Sequence, residues 1–119
     1  MDLRSLLEEI VQIKGLTSAA LVGHDGFVIE SATAEGYDID LDFLGGVATS
    51  SFAASQALSE FFGKGDVNQV MVEFEEGPVL LSPVGDTSLL ATLDSSQNLG
   101  RVRFQLKKYL SRLEEAAKA

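Results

Sequence analysis

Hydrophobic and polar positions in this chain switch between a helical and a strand period, and each switch marks an element. Leu3, Leu6, Leu7, Ile10 and Val11 recur at i, i+3, i+4, i+7 and i+8, the stripe of an amphipathic helix. Asp2 is placed to cap its start and Gly15, after Lys14, to close its end. Ser18–Gly23 and Phe27–Ser31 then flank His24-Asp25-Gly26. An Asp-Gly pair between two apolar runs predicts a hairpin, because the tight turn needs positive φ. Ala34–Asp40 reads as a loop. Leu41–Phe62 reads as a long helix, capped by Asp40 and ended by Gly63-Lys64-Gly65-Asp66. In Asn68–Glu75, Val70, Val72 and Phe74 alternate with Met71, Glu73 and Glu75, the period of a strand. Pro78–Val84 follows the Glu76-Gly77 turn, with prolines towards its ends. Thr87–Leu93 follows Gly85-Asp86 and is apolar on both sides, as a central strand would be. A last helix runs from Leu99 to about Ala117 with Leu99, Val102, Leu106, Tyr109, Leu110 and Leu113 on one face. The order α-β-β-α-β-β-β-α, with hairpin connections, predicts one α+β domain over 1–119 with a five-stranded antiparallel sheet.

The second helix is unusual in charge. Phe43–Ser59 carries no Asp, Glu, Lys or Arg, in a chain whose net charge is -9. At about 100° per residue, Leu41, Leu44, Ala48, Phe52, Ser55, Leu58 and Phe62 fall on one side. Phe43, Val47, Ser50, Ala54, Ala57 and Phe61 fall on the neighbouring side. Together they cover roughly 240°, where an ordinary surface helix shows a stripe of about 100° or more. Asp42, Gly46, Thr49, Ala53, Gln56 and Glu60 fill the remaining wedge. The first side suits the core. The second, rich in small residues, suits a partner helix or a second buried contact within the monomer. Close approach of another helix would offset the cost of Gly45-Gly46, about 1 kcal/mol per residue against Ala. Ser and Thr residues and Gln56 make the segment too short and too polar to span a membrane.

A chain of 119 residues with 45% hydrophobic content suits one globular domain. The absence of cysteine excludes disulfides and thiolate metal sites and fits a cytoplasmic protein. The N-terminus lacks the continuous apolar core of a signal peptide. The acidic balance argues against nucleic-acid binding. Catalytic chemistry finds little footing. His24 is the only histidine and sits beside a turn, and no Cys/His pair is possible. Asp38, Asp40 and Asp42 alternate but lack the Gly and terminal Glu of a calcium loop. Gly63-Lys64-Gly65 lacks the rest of a phosphate loop. No metal, cofactor or catalytic residue is therefore expected.

Two features point to protein contacts. Five of the nine Lys and Arg (Arg101, Arg103, Lys107, Lys108 and Arg112) lie in the last helix, which reads first as a solvated face favourable to the helix dipole and, more sharply, as a docking surface for an acidic partner. Phe104 lies among them, off the apolar face, and is expected first to fill a gap against the first helix, with an exposed anchor for a partner as the alternative. Asn68–Glu75, as an edge strand, would offer free backbone groups to another chain. A two-fold dimer would join both edges and both uncharged helices at once.

The LVGHDGFVIES hairpin, the small-residue helix, VMVEFEEGPVLLSPVG and the NLGRVRFQLKKYLSRLEEA ending, in this order, resemble the Roadblock/dynein light chain family, closest to its bacterial MglB-like branch. The resemblance covers essentially the whole chain. It implies a profilin-like α/β sandwich that dimerises through the central helix and third strand into a ten-stranded sheet. Carried over, the dimer residues are Phe43, Val47, Ser50, Ala54, Ala57, Phe61, Val70, Met71 and Val72. The resemblance further implies a non-enzymatic regulator of a Ras-like small GTPase (MglA-type), without cofactor, acting in bacterial polarity, motility or signalling. Such proteins stimulate hydrolysis by repositioning the GTPase's own residues. The GTPase-facing candidates are Asp42, Gly46, Thr49, Ala53, Gln56 and Glu60. Some MglB-like proteins carry further C-terminal sequence, so a dimeric scaffold or adaptor without activating effect is the alternative.

Overall fold

The Asp2 carboxylate accepts the Ser5 backbone N–H at 2.8 Å, so the first helix starts at its expected cap. That hydrogen bond holds the Asp2 pKa below its ordinary value. The computed structural model describes residues 2–118. Its elements are α1 (Leu3–Ile10), β1 (Leu16–Val22), β2 (Val28–Thr33), α2 (Gly45–Phe62), β3 (Val70–Val72), β4 (Val79–Val84), β5 (Thr87–Leu93), α3 (Leu99–Lys107) and α4 (Leu110–Lys118). The strands form one sheet in the order β2-β1-β5-β4-β3, and every neighbouring pair is antiparallel. β5 is central, as its two apolar faces required.

The sheet separates two cores. On one face α1, α3 and α4 bury Leu6, Leu7, Ile10, Val102, Leu106 and Leu113 against Leu21, Leu80, Leu89 and Leu93. On the other, α2 and the segment before it set Ala48 and Leu41 against Ala20, Val22, Leu81 and Leu90. The result is a three-layer α/β/α arrangement.

Several expectations need correction. Asp40 does not cap α2: its Oδ1 accepts the Asp42 N–H at 3.1 Å. The helix begins only at Gly45, with Leu44 as a cap that makes no side-chain bond. The local turn offered Asp40 a nearer donor than the helix end did. Asp42 and Phe43 therefore lie before α2. Leu58 and Phe62, expected in the core, are 62% and 61% exposed: α2 fully buries only Gly45 and Ala48, both in its first turn. The Gly45-Gly46 pair is explained within the protomer. A Cβ on Gly45 would fall onto the Gly26 carbonyl of the β1–β2 turn, while one on Gly46 would meet nothing. That turn takes its positive φ at Gly26 alone. The last helix is broken: Lys108 and Tyr109 donate to Gln105 and Leu106, three residues back, at 3.1 and 2.9 Å. Phe104 is 65% exposed and fills no gap; the Lys108 ammonium lies 4.9 Å from its ring centre.

Candidate protein-interaction surface

β3 is an edge strand, as expected, but spans only Val70–Val72. It pairs on one side with β4, Val70 opposite Leu81 and Met71 opposite Leu80. The register divides its side chains. Leu81 belongs to the core under α2 and Leu80 to the opposite one. Val70 and Val72 thus share the α2 face and Met71 lies on the other. Val47, Ala48 and Ser51 of α2, with Val70, Val72 and Phe74, line an apolar groove of about 200 Å³.

On α2 and just before it, large apolar side chains stay in solvent. Phe43 is 86%, Val47 64% and Phe61 84% exposed. Ser50, Ala54 and Ala57 are exposed beside them, so small residues alternate with large ones. Of the nine dimer candidates, the structure sets five α2 residues on one exposed stripe, with the exposed Phe43 just before the helix. It brings Val70 and Val72 beside them and turns Met71 away. The opposite edge of the sheet is dressed differently: Arg4 pairs with Glu30 of β2 at 3.2 Å. Large apolar side chains exposed together are typical of protein contact sites.

The wedge of α2 faces a second, more open trough. Thr49, Ala53 and Gln56 line about 300 Å³ together with His24, Asp86 and Ser88. The Thr49 hydroxyl donates to the Gly45 carbonyl, and the Gln56 Oε1 accepts the Val67 N–H at 3.2 Å. Gly46 and Glu60 are exposed, and Asp42 stands apart before the helix. Sequence spacing did not bring His24, Asp86 and Ser88 to this wedge, because they come from the β1–β2 turn, the β4–β5 turn and the start of β5. Among the described residues, no three His, Cys, Asp or Glu gather to hold a metal, and no helix is long and apolar enough to cross a membrane.

The family described as Roadblock/LC7 domain matches residues 3–94, from α1 through β5. Two uncharacterized proteins of Methanocaldococcus jannaschii are each 29% identical over 109 residues, covering 92% of this chain and 94% of their own length. Among solved structures, the gliding protein MglB of Thermus thermophilus superposes with a TM-score of 0.86 at 25% identity, over 98% of this chain and 88% of that one. A Roadblock/LC7 domain from Streptomyces avermitilis does so at 0.86 and 24% identity, with both chains wholly covered. Profilin IB of Acanthamoeba castellanii shares the fold at 14% identity, TM-score 0.70, over 98% of this chain and 99% of its own. An α/β/α sandwich of profilin type, with the family's sequence pattern running from its first helix to its central strand, places this chain in the Roadblock/LC7 domain family.

Proposed function

We propose that this protein is a non-enzymatic homodimeric regulator of a Ras-like small GTPase of the MglA type and stimulates its GTP hydrolysis. The observation that carries the reading is the exposed strip of Phe43, Val47 and Phe61 beside the free edge at Val70 and Val72. A two-fold axis through this surface would lay α2 on α2 and join two five-stranded sheets into one of ten strands. Such an isologous contact covers apolar side chains and free backbone groups together. Likeness to MglB supports the regulatory role. The trough at Thr49, Ala53 and Gln56 stays open beside the strip and is the surface offered to the GTPase. On this reading the protein acts in the cytoplasm and needs no cofactor.

Sedimentation across a concentration series tests the dimer. Pull-down with the small GTPases of the source genome, loaded with GDP or a GTP analogue, tests the partner. Binding with faster turnover supports the regulator. Binding with unchanged turnover makes the protein an adaptor, and no binding in either nucleotide state ends the GTPase reading.

A further inference from the structure

Three exposed features bear on the free edge of β3, which α3 approaches through Arg103. The first is an open trough of about 660 Å³ where the end of α2, the connection 63–69 and α3 converge; Leu58, Phe62, Lys64, Asn68, Gln69 and Arg103 are among its walls. Its apolar part is formed by the exposed Leu58 and Phe62 noted above. The second is the charge on α3. Arg101, Arg103 and Lys107 are followed by Lys108, with no carboxylate between Leu99 and Lys108. Among the described residues none of these four cations forms an ion pair. The third is the run Glu73-Phe74-Glu75-Glu76 leaving β3. Its residues are all exposed, and none of its carboxylates is ion-paired among the described residues.

We infer that in the dimer the Glu73-Phe74 step of one protomer seats in this trough of the other, and that the site is incomplete without the second copy. The inference deepens the dimer reading above and rests on it. An antiparallel β3 pair with its axis at Met71 sets Glu73 opposite Gln69 of the second copy, and Phe74 opposite Asn68. Both of those positions wall the trough beside Arg103. Side-chain alternation then separates the two contacts. Phe74 lies on the α2 side with Val70 and Val72, where Leu58 and Phe62 offer apolar surface. Glu73 lies on the side of Met71. Gln69, which donates to the Ser82 hydroxyl at 3.4 Å, marks that side next to Arg103. Each protomer thus gives an acidic-aromatic step and receives one, and two-fold symmetry forms the contact twice. The pairing also selects partners. A copy lacking the carboxylate would leave Arg103 unmatched at the seam.

Charge reversal in trans provides the test, read by sedimentation at low salt with folding checked by circular dichroism. Arg103→Glu alone, and Glu73→Arg alone, set like charges together twice per dimer and should each raise the dimer Kd by about tenfold. An equimolar mixture of the two variants restores opposite charges at both contacts, so heterodimers should form with near wild-type affinity. High salt should erase these differences. Phe74→Ala should weaken the dimer with little dependence on salt. Wild-type affinity in both single variants, or a mixture no tighter than either variant alone, would overturn the inference while leaving the dimer standing. A wild type that stays monomeric throughout would sink the dimer reading and this inference with it.

Discussion

Gly45 of α2 lies so close beneath the Gly26 carbonyl that no side chain fits between helix and turn. Its neighbour Gly46 faces open space. The same substitution should therefore act in opposite directions. Gly45→Ala forces the β1–β2 turn off the helix start and should cost about 1–3 kcal/mol. Gly46→Ala removes freedom from the unfolded chain at a position with room for a methyl group, and should stabilise by about 0.4–1 kcal/mol. Urea denaturation of the two variants checks both signs.

A second contrast separates the core from the surface assigned to the dimer. Leu80 is fully buried between the sheet and its three-helix face, and Leu80→Ala should cost about 2–5 kcal/mol. Phe61, mostly in solvent, should tolerate Phe61→Ser within about 0.5 kcal/mol in the monomer. The dimer should nevertheless dissociate at higher concentration in that variant. Denaturation of monomer-range samples, beside sedimentation, distinguishes the two effects.

Ala54 offers a sharper version. Its side chain is exposed in the protomer, so Ala54→Glu leaves the fold intact. Against a second α2 it buries an unpaired charge, which is strongly unfavourable. The variant should be monomeric by light scattering, and persistence of a dimer would remove α2 from the seam.

Ala53 lies on the wedge, where it lines the trough shared with His24 and Asp86. Ala53→Arg should fill that trough without altering the dimer. The expected result is a dimer of normal affinity that fails to bind the GTPase in co-sedimentation. Retained binding would move the GTPase contact elsewhere.

Tyr109 gives a prediction in alkali. Burial raises its pKa above 10.0, and the Glu9 carboxylate raises it further, while Arg112 opposes them. The folded state thus favours the neutral phenol. Its contribution is fully present below the unfolded pKa of about 10 and is lost as pH rises through the higher folded value. The chain has two tyrosines, so phenolate absorbance in a Tyr37→Phe variant reports Tyr109 alone. Tyr109→Phe should flatten the alkaline fall in stability.

Local signals in the sequence are legible where one neighbour decides the outcome. Asp2 finds the Ser5 N–H, and Gly63 ends α2 with positive φ and its N–H on the Glu60 carbonyl at 3.2 Å. Thr87–Leu93 becomes the central strand because residues apolar on both sides have no other place in a sheet. Misreadings arise where two outcomes share one pattern. Asp40 can bond a turn or a helix end, and only the chain's path decides. Helical spacing groups Leu58 and Phe62 with Ala48 but does not tell which turns of the helix are buried. His24 and Asp86 approach the wedge only through the packing of two distant turns.

The sheet leaves its two faces with unequal tasks. One face carries three helices and a broad core, so folding is settled there. The other carries a single helix with two fully buried residues, and most of its outward side chains are idle in the isolated protomer. Binding preference and foldability are thereby written in different residues. If the dimer is the one proposed, successive copies of such a gene can exchange Phe43, Val47 or Phe61, and so change whom they pair with, while inheriting the folding half untouched.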